Sequence, residues 1–159
     1  RIGNLKDSSL VARRIAPNRR VLVASPSYLA RRGVPQHPAE LEAHDGLLMT
    51  DADGKRDIWT LLAPGEGTFR VKINSKIESN FGELLRDAAV YGRGISLQSV
   101  WHVADDLKAG RLQIVLPDYP VQESFIHAVT PTRLMQTPRI KAFIDFLLEK
   151  FAEPAPWER

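Results

Sequence analysis

The sequence predicts a layered α/β fold, and three observations predict it. Short apolar runs of strand type alternate with helix-patterned segments between Arg20 and Leu116. Residues that suit helix starts and stops punctuate the alternation: Ser25 with Pro26, then Gly33, Gly92 and Gly110. Phe69, Val71 and Ile73, interleaved with Arg70, Lys72 and Asn74, show the period of two of a half-buried strand. Strands joined through helices need a sheet covered by helices, which argues against a bundle or an all-β sandwich.

After an irregular opening, Arg20 to Ala24 is an apolar run predicted as a strand. Ser25 suits an N-cap and Pro26 the first helical position, so Ser27 to Arg32 reads as a short helix ended by Gly33. His37-Pro38 opens a second helical turn, and Gly46 to Thr50 is the next strand. Turn chemistry at Asp51 to Asp57 and at Ala63 to Gly67 brackets a strand over Ile58 to Leu62, which pairs as a hairpin with Thr68 to Ile73. Asn80 with Glu83 forms a capping-box pattern at the start of a helix whose apolar face is Leu84, Leu85, Ala88 and Ala89. Gly94 to Leu97 is a strand, Val103 to Ala109 a helix, Leu112 to Leu116 a strand and Glu123 to Val129 another. Pro138 opens the last helix, where Ile140, Phe143, Ile144, Leu147, Leu148 and Phe151 make a full apolar stripe. The tail from Pro154 to Trp157 is expected to be irregular and frayed.

Composition bounds the chemistry. With 159 residues, 43% hydrophobic and 26% charged, the chain has the apolar mass for a core. No apolar run approaches the ~20 residues of a membrane span, and the first residues lack a secretory stretch, so a cytoplasmic location with no membrane partner is expected. Without cysteine there is no disulfide and no thiolate chemistry. A net charge of +3 is a weak nucleic-acid signal, and the pairs Arg13-Arg14, Arg19-Arg20 and Arg31-Arg32 read as solvated surface. A chain that starts at Arg1 without Met is expected to be cut from something longer.

No catalytic pattern emerges. His37, His44, His102 and His127 lack metal-ligand spacing and read as ordinary core or surface histidines; neither a metal nor another cofactor is expected. No G-x-S-x-G elbow occurs. Gly92-Arg93-Gly94 lacks the third glycine of a dinucleotide fingerprint and follows a helix instead of a strand. Gly94 instead lets backbone approach a ligand or a neighbouring strand closely. Adjacent Asp105 and Asp106 on a helix diverge by about 100° and do not converge on one atom. The start of the helix at Asn80 is the better feature, because free N–H groups there suit a carboxylate or phosphate, although simple capping explains the same residues.

In order and spacing, a series of motifs resembles the C-terminal effector-binding domain of LysR-type transcriptional regulators. The carriers are Arg1-Ile2-Gly3, Asp7-Ser8-Ser9-Leu10, Ala24 to Pro35, Pro38-Ala39-Glu40-Leu41 with His44, Gly92-Arg93-Gly94-Ile95-Ser96, Ala104 to Leu107, Gly110-Arg111-Leu112 and Pro138 to Leu147. The resemblance covers essentially the whole chain. It implies a three-layer sandwich with a mixed sheet, similar to type 2 periplasmic binding proteins, with two subdomains flanking an effector cleft. Residues 26–128 would form a complete second subdomain, while 1–25 and 129–159 would be the crossing strands, final helix and remnant of the first.

The resemblance also implies effector contacts from Ser79, Asn80 and Phe81, from Gly94, Ile95, Ser96, Gln98 and Ser99, and from Arg13 and Ser25 near the crossings. A small carboxylate is the expected effector. Gln98-Ser99 stands where many members have Leu-Pro, and Thr130 where many have tyrosine, so no relative's effector is carried over. DNA is expected to be bound only through a missing N-terminal winged helix, and the chain is expected to be a homo-oligomer, dimer or tetramer, that responds to ligand without making or breaking a bond. Uncovered apolar surface on the last helix, including Ile140, Phe143, Ile144 and Leu147, is expected to promote association. A transport solute-binding protein shares the fold and is the alternative; an enzyme is the third reading.

Overall fold

The computed structural model describes residues 1–2, 10–51, 54–63, 65, 67–131, 137–152 and 155–158. Gly3 and Asp7 to Ser9 of the family motifs, Thr132 of the expected second crossing, Pro154 of the tail, and Ala52, Asp53, Pro64 and Glu66 of two expected turns lie outside the described residues. The elements are β1 (Leu10–Asn18), β2 (Arg20–Ala24), α1 (Pro26–Arg32), a 3-10 helix (Pro38–Ala43), β3 (Asp45–Asp51), β4 (Gly54–Lys55), β5 (Ile58–Ala63), β6 (Gly67–Lys72), β7 (Asn74–Ser79), α2 (Gly82–Val90), β8 (Ile95–Ser99), α3 (Val100–Lys108), β9 (Gln113–Val115), β10 (Ser124–Pro131), α4 (Pro138–Lys150) and a closing 3-10 turn (Pro156–Glu158). Contacts divide them into two compact units, Arg1–Arg19 with Glu123–Arg159, and Arg20–Gln122. Among the described residues no helix is long and apolar enough to cross a membrane.

In the larger unit, six strands form a mixed sheet in the order β4-β3-β8-β2-β9, with β7 also on β3. β3 runs parallel to β7 and β8, and β2 runs antiparallel to β8 and β9. Successive strand residues face opposite sides, and that alternation builds two cores. Leu22, Ala24 and Leu48 join Tyr28, Leu41, Trp59, Leu61 and Val71 on one face. Val23 and Leu47 join Leu85, Ala89, Val103 and Leu112 of the α2 and α3 layer on the other. The result is the three-layer α/β sandwich with a mixed sheet that the sequence predicts.

Local chemistry accounts for most boundaries. Ser25 Oγ accepts the Tyr28 N–H at 3.3 Å and caps α1, with Pro26 at its first turn. The β5–β6 hairpin pairs Ile58 with Lys72 through Ala63 with Gly67, as the turn residues predict. β7 has no counterpart in the sequence reading. Ile77 is its sole apolar residue, but β7 lies along β3 in parallel register, so backbone pairing makes a strand that composition conceals.

The capping box at Asn80 and Glu83 does not form. Ser79 Oγ takes the Phe81 N–H at 3.0 Å, the helix begins at Gly82 with Phe81 as cap residue, and no side chain caps it. α3 likewise starts at Val100 instead of Val103, directly from the end of β8.

The smaller unit pairs β1 with β10 antiparallel, from Leu10 opposite Pro131 to Asn18 opposite Ser124. A register shift between Arg14 and Ala16, and Pro17 within the strand, break the period of two; this is why the opening reads as irregular in sequence. Ile15, Ala16 and Ile144 form its core, with Ile126, Ala128, Ile140, Leu147 and Phe151 packed on it. Of the apolar residues expected to be uncovered, Ile144 is therefore buried and Ile140 and Leu147 half-buried; Phe143 alone is exposed, joined by Phe146. The tail is not frayed at its described residues: Ala155 is buried, the Trp157 ring lies 5.4 Å from that of Phe151, and Glu158 takes a two-pronged pair from Arg19 at 3.0 and 2.8 Å.

Candidate functional site

Strand register sorts the residues singled out from the sequence onto two opposite edges of the larger unit's sheet. Ser79 lies opposite Met49, Gln98 opposite Val21 and Ser99 opposite Arg20, so these residues share the edge where the parallel strands β3, β7 and β8 end. Asn80 and Phe81 continue that edge into α2, and both are exposed. Ser96 is one pleat further in, opposite Leu47 and Val23, and fully buried. Gly94, Ile95 and Ser25 lie at the other edge, roughly 16 Å along the strands at ~3.3 Å per residue.

That other edge is packed. Ile95 is 1% exposed within the core. A Cβ on Gly94 would run into the Asp45 carbonyl, so the glycine serves close strand approach. Ser25 caps α1 and contacts Ser27 Oγ at 3.0 Å. Close by, the Asp45 N–H donates to Tyr28 Oη at 2.9 Å, and Tyr28 Oη is hydrogen-bonded to His44 Nδ1 at 3.1 Å. Burial pushes the Tyr28 phenol up and the His44 imidazole down from their ordinary pKa values. Arg13 belongs to the smaller unit, in β1 opposite Ala128, with its head 3.8 Å from Asp145 of α4.

The strand-end edge is differently built. α2 and α3 both start along it, and neither has a side-chain cap, so their first N–H groups present partial positive charge there. Arg20 opens β2 at the same edge. Its Nη2 donates to the Gln122 carbonyl at 3.3 Å, while Nε is buried without a hydrogen-bond partner among the described residues. Burial, and next the charge of Arg56, lowers the Arg20 pKa. Arg56 is held by Asp51, with Nε 2.8 Å from Oδ2.

On the helix side of this edge, Gln98 Nε2 donates to Ser96 Oγ at 2.8 Å, and His102 Nδ1 lies 3.0 Å from Gln98 Oε1. Sequence reading overlooked both Arg20 and His102, one as surface charge and the other as an ordinary histidine. The spacing of Gln98 and His102 across a strand-to-helix junction is the signal that could have paired them. The carboxylate pair Asp105 and Asp106 is divided: Asp105 is exposed, whereas Asp106 is buried and takes Arg111 Nε at 2.7 Å. Among the described residues no group of three or more His, Cys, Asp or Glu is placed to hold a metal ion.

An edge with two helix starts free of side-chain caps and a partly buried guanidinium can hold a small anion. Comparison with known proteins agrees with a sensing role. The LysR substrate binding domain family matches residues 1–152. The chain is 35% identical over 156 residues to the HTH-type transcriptional regulator DmlR of Escherichia coli (strain K12), covering 98% of this chain and 50% of that protein. The regulatory domain of CrgA, a LysR-type transcriptional regulator from Neisseria meningitidis, is 31% identical with a TM-score of 0.78, covering 92% of this chain and 71% of that one. The full-length Vibrio cholerae virulence activator AphB is 30% identical with a TM-score of 0.78, covering 94% of this chain and 50% of that one. The chain thus spans about half the length of the curated relatives it matches. It belongs to the LysR substrate binding domain family, the effector-binding region of LysR-type transcriptional regulators.

Proposed function

We propose that this chain senses a small carboxylate at the strand-end edge of its larger unit and acts by binding, not by catalysis. The observation that carries the proposal is the pair of uncapped helix starts, α2 and α3, set along one edge with Arg20. Helix starts and a desolvated guanidinium both gain from an anion. Asn80, Ser79 and Ser99 supply neutral hydrogen bonds around it. Of the expected contacts, Ser25, Gly94 and Ile95 have packing roles at the opposite edge, Ser96 is wholly buried and Arg13 belongs to the smaller unit, so the proposed contact set within the larger unit is Ser79, Asn80, Phe81, Gln98 and Ser99, with Arg20 added.

In the whole regulator, the bound effector shifts a homo-oligomer between arrangements, which requires different affinity for the two states. DNA contact belongs to the half of such regulators that these residues do not match, and the setting is cytoplasmic. Exposed Phe143 and Phe146 on α4 favour self-association.

Thermal unfolding against a panel of small carboxylates tests the reading, because a ligand that binds only the folded chain raises the midpoint. A concentration-dependent rise that Arg20→Gln abolishes supports it. No rise with any member of the panel, or one untouched by Arg20→Gln, contradicts it.

A further inference from the structure

We draw no further inference here: the strongest candidate, the exposed apolar patch of Leu84 and Tyr91 along α2, carries nothing, because nothing in the structure shows what covers it.

Discussion

The two edges of the larger unit's sheet use similar residues to opposite ends. At the packed edge, serine, tyrosine, histidine and glycine form closed sets: Ser25 caps α1, Tyr28 joins His44 to the Asp45 backbone, and Gly94 admits β3. At the strand-end edge, the helix starts are uncapped by side chains, and Arg20 Nε and His102 Nε2 are buried with no hydrogen-bond partner among the described residues. Residues that complete one another hold a fold together. An edge that leaves costly groups unmatched is where a ligand has energy to gain.

The contrast is sharpest for stability. Leu48→Ala, at a wholly buried site of the packed core, is expected to lower the unfolding free energy by about 2–5 kcal/mol. Tyr28→Phe removes the hydrogen-bond partner of His44 and the acceptor of the Asp45 N–H, and is expected to cost roughly 1–3 kcal/mol. Urea unfolding measures both, and neither should alter affinity for a carboxylate among molecules that remain folded. The reverse is expected of Arg20→Gln: stability changes by less than about 1 kcal/mol, while affinity falls about tenfold.

Much of the packed edge is legible in sequence because its determinants are local. Ser25-Pro26 announces a capped helix, and the run Arg20 to Ala24 a strand, whatever surrounds them. The open edge is legible only in part. Asn80 marks the start of α2 only approximately, since the helix begins two residues later and the asparagine does not cap it. β7 is hidden because its pairing with β3 is a property of the backbone. Arg20 and His102 are hidden because what sets them apart, Nε of the one and Nε2 of the other buried with no hydrogen-bond partner among the described residues, depends on residues remote in the chain. Ser25 and Gly94, which the family motifs single out, have structural roles at the packed edge.

Acid should weaken both edges, in a direction that can be worked out. Burial depresses the folded-state pKa of His44 and His102 below the ordinary 6.5. Above that value both states are neutral and stability is complete; as pH falls below it, the unfolded chain takes protons that the folded chain refuses, so stability declines by up to about 1.4 kcal/mol per pH unit for each histidine. Thermal melts of His44→Gln and His102→Gln between neutral and mildly acidic pH should each show a shallower decline than wild type. The smallest effect is expected at Asn80→Ala, within about 0.5 kcal/mol in stability, because this exposed side chain neither packs nor caps.

The measurement that bears most directly on the central claim is amide hydrogen exchange with and without a carboxylate that raises the melting midpoint. Added protection is predicted at residues 79–84 and 98–102, the strand-end edge with its two helix starts, and none at residues 25–28 and 92–95. Protection centred on the latter segments, with 79–84 and 98–102 unchanged, would place the ligand at the packed edge and contradict the account.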